Sequence, residues 1–109
     1  MAGLDANSTA HMTFDVIESD GGTVTVRVGG ELDITNVERL ADAVAPALER
    51  EPARLIVDAR ALRFADSSAI ALWVQWATAV PATELRHAPP TLRKVLDSMG
   101  LAEMLHVTP

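Results

Sequence analysis

Asp66, Ser67 and Ser68 open a long apolar run in the stretch RFADSSAIALW (63–73). Hydroxyl residues placed this way have two plain uses. They can satisfy orphan backbone N–H groups at the start of a helix, together with the aspartate. Alternatively, one hydroxyl can stay free and accept a phosphoryl group, which adds roughly -1.5 to -2 charges at neutral pH. A helix N-terminus favours such an anion through its N–H donors and dipole. Asp66 beside the serines, with Glu31 and Asp33 expected nearby, would make that added charge repel a partner docked over the surface.

Other chemistry finds little support. Hydrolysis by a serine needs a base beside it. His87 and His106 are the candidates, but no Gly-x-Ser-x-Gly elbow accompanies them. They form no ligand-spaced metal motif, and Gly29-Gly30 lacks the surroundings of a phosphate loop. The absence of cysteine excludes disulfides, thiolate metal sites and thiol catalysis. The expectation is a chain with no catalytic residue, metal or cofactor.

The elements that must position the serines follow from periodicity. TFDVIE and TVTVRVGG, separated by Asp20-Gly21-Gly22, predict a hairpin, with Val24, Val26 and Val28 on one face. Val37, Leu40, Ala41, Val44 and Leu48 predict an amphipathic helix over about 35–50, capped by Asp33 or Thr35 and weakened near its end by Pro46. ARLIVDA (53–59) reads as a buried central strand, and RALRF as the linker to the serines. A second helix is expected over 68–79 and a short strand over 83–87. The third helix opens at Pro89-Pro90, carries a stripe of Leu92, Val95, Leu96 and Met99, and stops at Gly100. LAEMLHV then closes the chain against the sheet. The order β-β-α-β-α-β-α gives an α/β sandwich: a mixed four- to five-stranded sheet with helices packed mainly on one side. The serines fall at the carboxyl edge of that sheet, a favoured place for sites.

Composition agrees with one domain. The chain has 109 residues, 49% apolar and 22% charged, which suits a single soluble core. Residues 1–11 read as a disordered leader or tag remnant, and 12–109 as the domain. No apolar run is long enough to cross a bilayer and no signal pattern opens the chain, so the expected location is cytoplasmic, without membrane insertion. The net charge is -6, and the basic residues are scattered apart from Arg93-Lys94, which argues against a nucleic-acid partner. Oligomeric state is not legible.

GGELDIT (29–35), the strand ARLIVDA, the Asp-Ser-Ser helix start and APPTLRKVLDSMGLAEML, in that order, resemble the STAS domain, and within it the small anti-sigma factor antagonists. The resemblance spans about residues 12–107. It implies that Ser67 is the phosphorylation site, with Ser68 as its neighbour, and that the loop Gly30, Glu31, Leu32 and Asp33 contributes to partner contact. It implies a non-enzymatic binding module that regulates transcription. Unphosphorylated, the chain would sequester a serine-kinase anti-sigma factor; phosphorylation would release it, and a phosphatase would reset it.

The sequence departs from the family pattern in two places. Ala69 stands where glycine is usual, favouring helix by about 1 kcal/mol while adding a methyl to a docking surface. The span from the serines to the proline-opened helix is also about one helical turn short. The second helix is unusually apolar, and Leu72 and Trp76 lie i,i+4 on one face; Trp76 is either core or an exposed anchor for a partner. The expected partner-binding set is therefore Glu31, Leu32, Asp33, Asp66, Ser67, Ser68, Ala69 and Trp76. The alternative resemblance is to STAS accessory subunits that dock on the ATPase of phospholipid-transporting ABC transporters.

Overall fold

A computed structural model describes residues 12–109. The leader expected over 1–11 lies outside the described residues.

The chain runs β1 (Met12–Ser19), β2 (Thr23–Leu32), α1 (Val37–Glu49), β3 (Arg54–Ala65), α2 (Ser67–Ala79), β4 (Thr83–Arg86) and α3 (Pro90–Ser98). The four strands form one mixed sheet in the order β1-β2-β3-β4. β1 pairs antiparallel with β2, whereas β2–β3 and β3–β4 are parallel pairs. Parallel neighbours require a crossover, and α1 and α2 supply the two crossovers. Among the described residues no helix is long and apolar enough to cross a membrane.

Alternation decides the two faces of the sheet. Phe14 on β1, Val24, Val26 and Val28 on β2, and Leu55, Val57 and Ala59 on β3 are buried in one core with Leu40 and Val44 of α1 and Trp73 of α2. The opposite face carries the cross-strand row Asp15–Arg27–Asp58–Arg86, whose charges alternate in sign. Opposite charges on adjacent strands are mutually favourable, and such a row keeps that face in water. Neighbouring it, Arg54 and Arg86 both bond Glu84.

β3 is longer than the sequence pattern suggests. RALRF continues the strand instead of linking it to α2, so β2 and β3 stay paired as far as Leu32 opposite Ala65. Register shifts between Arg27 and Gly29, and between Gly30 and Glu31, absorb two extra residues on β3. Such bulges break the period-2 pattern and bend the strand, which is why the segment reads as a polar linker. Gly29 sits at the first irregularity, where a Cβ would come within 3.0 Å of both the Ala61 Cβ and the Thr13 Oγ1.

The remaining differences are local. α1 runs through Pro46 to Glu49 without interruption. In α3, Leu92 and Leu96 are buried; Val95, and Met99 just past the helix end, expected in the same stripe, are exposed. The C-terminal segment lies beside β4: Leu85 N–H donates to the Leu105 carbonyl and Thr108 N–H to the Leu85 carbonyl, each at 2.9 Å. This covers an edge that would otherwise present unpaired backbone groups.

Candidate functional site

β2 and β3 end together, and the chain leaves both strands at the same edge of the sheet. From β2 comes the loop Asp33–Asn36 leading into α1; from β3 comes Asp66, followed at once by α2. Asp66 N–H donates to the Leu32 carbonyl at 3.2 Å, carrying the strand pairing one step past β3.

Asp66 has the extended backbone of an N-cap residue, and its carboxylate holds two elements together. One oxygen accepts from the Ser68 and Ala69 N–H groups at 2.9 and 3.3 Å, and from the Ser68 hydroxyl at 2.5 Å. The other accepts from the Ile34 N–H, in the β2–α1 loop, at 3.1 Å. The Ser68 hydroxyl, followed by the three backbone donors, holds the Asp66 carboxyl below the usual carboxylate range against an opposing desolvation effect. Because Asp66 already occupies the Ser68 and Ala69 donors, a phosphate on Ser67 would meet a carboxylate there and not the open N–H groups that the sequence suggested.

The two serines are consequently unlike. The Ser68 hydroxyl is tied to Asp66 and half-buried. Ser67, the first residue of α2, is exposed, and its hydroxyl has no hydrogen-bond partner among the described residues.

The facing loop is built around a residue that the sequence reading did not single out. Asn36 is only 6% exposed; its amide donates to the Glu31 carbonyl at 2.9 Å and accepts from the Asp33 N–H at 3.0 Å. Asp33 accepts from both the N–H and the hydroxyl of Thr35, at 2.9 and 2.5 Å. Asp33 and Thr35 thus fold the loop on itself and neither caps α1: Asn36 is the N-cap residue, and its side chain makes no cap bond. Asn and Asp favour such local turns through their short polar side chains, which is the signal that TNV offered at the end of GGELDIT.

The expected partner-contact set separates by burial. Ser67 is exposed, and Glu31, Asp33, Asp66 and Ser68 are half-buried, so all five reach solvent at this edge. Leu32 and Ala69 are sealed, each at 0% exposure, and offer no side-chain surface. Trp76 is also corrected: at 4% exposure it is core, as is its i,i+4 companion Leu72. α2 packs on β3 with α1 alongside, which covers Ala69, Ile70, Leu72, Trp73, Trp76 and Ala77, while Ala71 and Ala79 stay exposed. The exposed apolar side chains near the serines are instead Ile34, 72% exposed in the loop, and Phe64, 53% exposed near the end of β3.

A four-stranded mixed sheet with three helices, opening a loop and a helix start at one edge, defines an α/β domain of the STAS type. The family model described as "Mlab, STAS domain" matches residues 16–106, and the chain belongs to that family. Among solved structures, an anti-sigma factor antagonist from Mycobacterium paratuberculosis superposes with a TM-score of 0.80 at 22% identity, covering 90% of this chain and 86% of the other. The Bacillus cell fate determinant SpoIIAA in its phosphorylated form gives 0.71 at 27% identity, with 89% and 92% covered. The anti-sigma factor antagonist SpoIIAA in its unphosphorylated form gives 0.75 at 27% identity, with 89% of each chain covered. No curated protein matches the sequence.

Proposed function

We propose that this chain is an anti-sigma factor antagonist: a binding module without catalysis of its own, which sequesters a serine-kinase anti-sigma factor and is released from it by phosphorylation at Ser67. The observation that carries this reading is the contrast between neighbours, a free and exposed Ser67 hydroxyl beside a Ser68 hydroxyl engaged by Asp66. The likeness to SpoIIAA, known in phosphorylated and unphosphorylated forms, supports it.

In the transfer, the Ser67 oxygen attacks the γ-phosphorus of ATP held by the kinase. The bond from that phosphorus to the β,γ-bridging oxygen breaks, ADP leaves, and the hydroxyl proton passes to a base of the kinase. The phosphoserine then stands beside the Asp66 carboxylate, with no free N–H at Ser68 or Ala69 to neutralise it. Its charge and bulk face outward, against whatever is docked there. The regulated partners are the anti-sigma factor and, for reset, a phosphatase.

The test is to capture partners with the Ser67→Ala form, identify them by mass spectrometry, and incubate the unmodified chain with the captured kinase and ATP. The expected outcome is one phosphate on Ser67, retention of the kinase by Ser67→Ala, and its loss by the phosphorylated chain. Modification confined to another residue overturns the assignment. Capture of a transporter ATPase in place of a kinase replaces this reading with that of an accessory subunit.

A further inference from the structure

A groove of about 340 Å³ lies between α1 and α2 and ends at Ser68. Its floor is apolar, formed by Val37 and Leu72, and its walls are low because Ala41 and Ala71 carry only methyl groups. On α1, Glu38 and Asp42, four residues apart and both exposed, line one rim. On α2 the lining residues run from Ser68 to Gln75, seven residues or roughly 10 Å of helix. Among the described lining residues the ionisable ones, Glu38 and Asp42, are both carboxylates.

We propose that this groove receives a basic amphipathic helix of the protein partner, with Lys or Arg side chains on Glu38 and Asp42 and an apolar side chain over Leu72. The proposal rests on the phosphorylation-switch reading and adds to it a separation between anchoring and switching. A kinase acting on Ser67 must bring the anionic γ-phosphate of ATP to that hydroxyl, so anionic groups of the complex lie over Ser67. Cations that match the acidic face then belong further down the groove, one to two turns from the switch. Phosphorylation opposes the nucleotide phosphates at the serine and leaves the anchor untouched.

Charge selects this groove over its neighbour. The second groove, about 270 Å³, lies between the end of β3 and α3 and is lined by Phe64, Leu92 and Val95, with Arg63 as its one ionisable residue among the described lining. Its rim carries no carboxylate pair to attract a basic helix. Complementary charge raises association rates and fixes register, and truncating or reversing it weakens binding in a salt-dependent manner.

The experiment measures the affinity of the full chain for the serine-kinase anti-sigma factor captured with the Ser67→Ala form, at low and high salt, with a non-hydrolysable ATP analogue present. Thermal melting confirms that each variant is folded, and Glu38→Gln/Asp42→Asn serves as the milder form. Glu38→Lys/Asp42→Lys should weaken binding by about tenfold or more and flatten its salt dependence. The same charge change at Asp97→Lys/Glu103→Lys should stay within about twofold. Unchanged affinity of the groove variant overturns the proposal. So does a loss that appears only in Phe64→Ser/Val95→Ser, which would place the occupant in the other groove. Ser67→Asp separates the two ideas: if it binds normally while the groove variants fail, the switch falls and the groove stands; the reverse outcome sinks the groove alone. If no anti-sigma kinase binds either form, both readings fall together.

Discussion

The first turn of α2 and the roughly two and a half turns behind it are one continuous helix with opposite physical demands. Behind the first turn, Ile70, Leu72, Trp73, Trp76 and Ala77 are buried, and the helix is held by what it packs against. In the first turn, Ser67 is exposed, Ser68 is half-buried, and the backbone is held by one carboxylate that also grips the neighbouring loop. Substitution in the body should therefore be read in stability, and substitution at the start in binding. A helix rigid for most of its length can offer one hydroxyl at a fixed place without relying on that hydroxyl to stay folded.

The sharpest way to break this contrast is Trp76→Ala. Truncating a buried tryptophan removes its contacts and leaves a cavity, at a cost of about 3–5 kcal/mol. Against a typical domain stability of about 5–15 kcal/mol, that is a large share. Chemical denaturation should show a strongly lowered midpoint, and the remaining folded molecules should still bind the partner. A change below about 1 kcal/mol would mean that Trp76 contributes surface and not core. Trp73 lies deeper still, and its indole N–H is buried without a hydrogen-bond partner among the described residues. Trp73→Phe removes that unsatisfied donor together with some volume, so it should cost less than Trp76→Ala.

Asp66→Ala comes next and tests the join between the two regions. Loss of an N-cap costs about 0.5–2 kcal/mol, and here the Ile34 amide also loses its acceptor. Amide exchange should accelerate at Ile34, Ser68 and Ala69 while the body of α2 stays protected. The pH dependence has a definite sign. The folded-state pKa of Asp66 is lowered, so its contribution is present above the unfolded-state value, near 4, and is lost as pH falls through the lower folded-state value. The stability gap between wild type and Asp66→Ala should therefore narrow on acidification below about pH 4. A gap independent of pH would mean that the carboxylate does not hold the loop.

These particulars explain which parts of the molecule were legible in the sequence. The start of α2 was, because Asp-Ser-Ser before an apolar run carries its own capping chemistry, and so was the hairpin, because Val24, Val26 and Val28 alternate without a break. The length of β3 was not, since two register shifts disguise its last residues as a linker. The depth of Trp76 was not, because periodicity assigns it to a helix face without saying what covers that face. Asn36 stayed hidden for a different reason: its role depends on the Glu31 carbonyl being brought to it by the path of β2, which no local pattern records.

The smallest expected effect is the most discriminating, because it compares adjacent residues of the same type. Ser68→Ala removes a hydroxyl that donates to Asp66, so the cap should weaken by up to about 1 kcal/mol, and the Asp66 pKa should rise toward its ordinary value as its leading stabiliser disappears. Ser67→Ala removes a hydroxyl with no such bond and should change stability by less than about 0.5 kcal/mol. Paired denaturation curves and an NMR titration of Asp66 read both effects without any partner present. If the two alanines cost the same and leave the Asp66 titration alike, the distinction between a tethered and a free serine is lost, and with it the reason for assigning the switch to Ser67. If the curves separate as expected, the free serine can gain or lose a phosphate while the fold beneath it stays indifferent, which is the property a reversible switch requires.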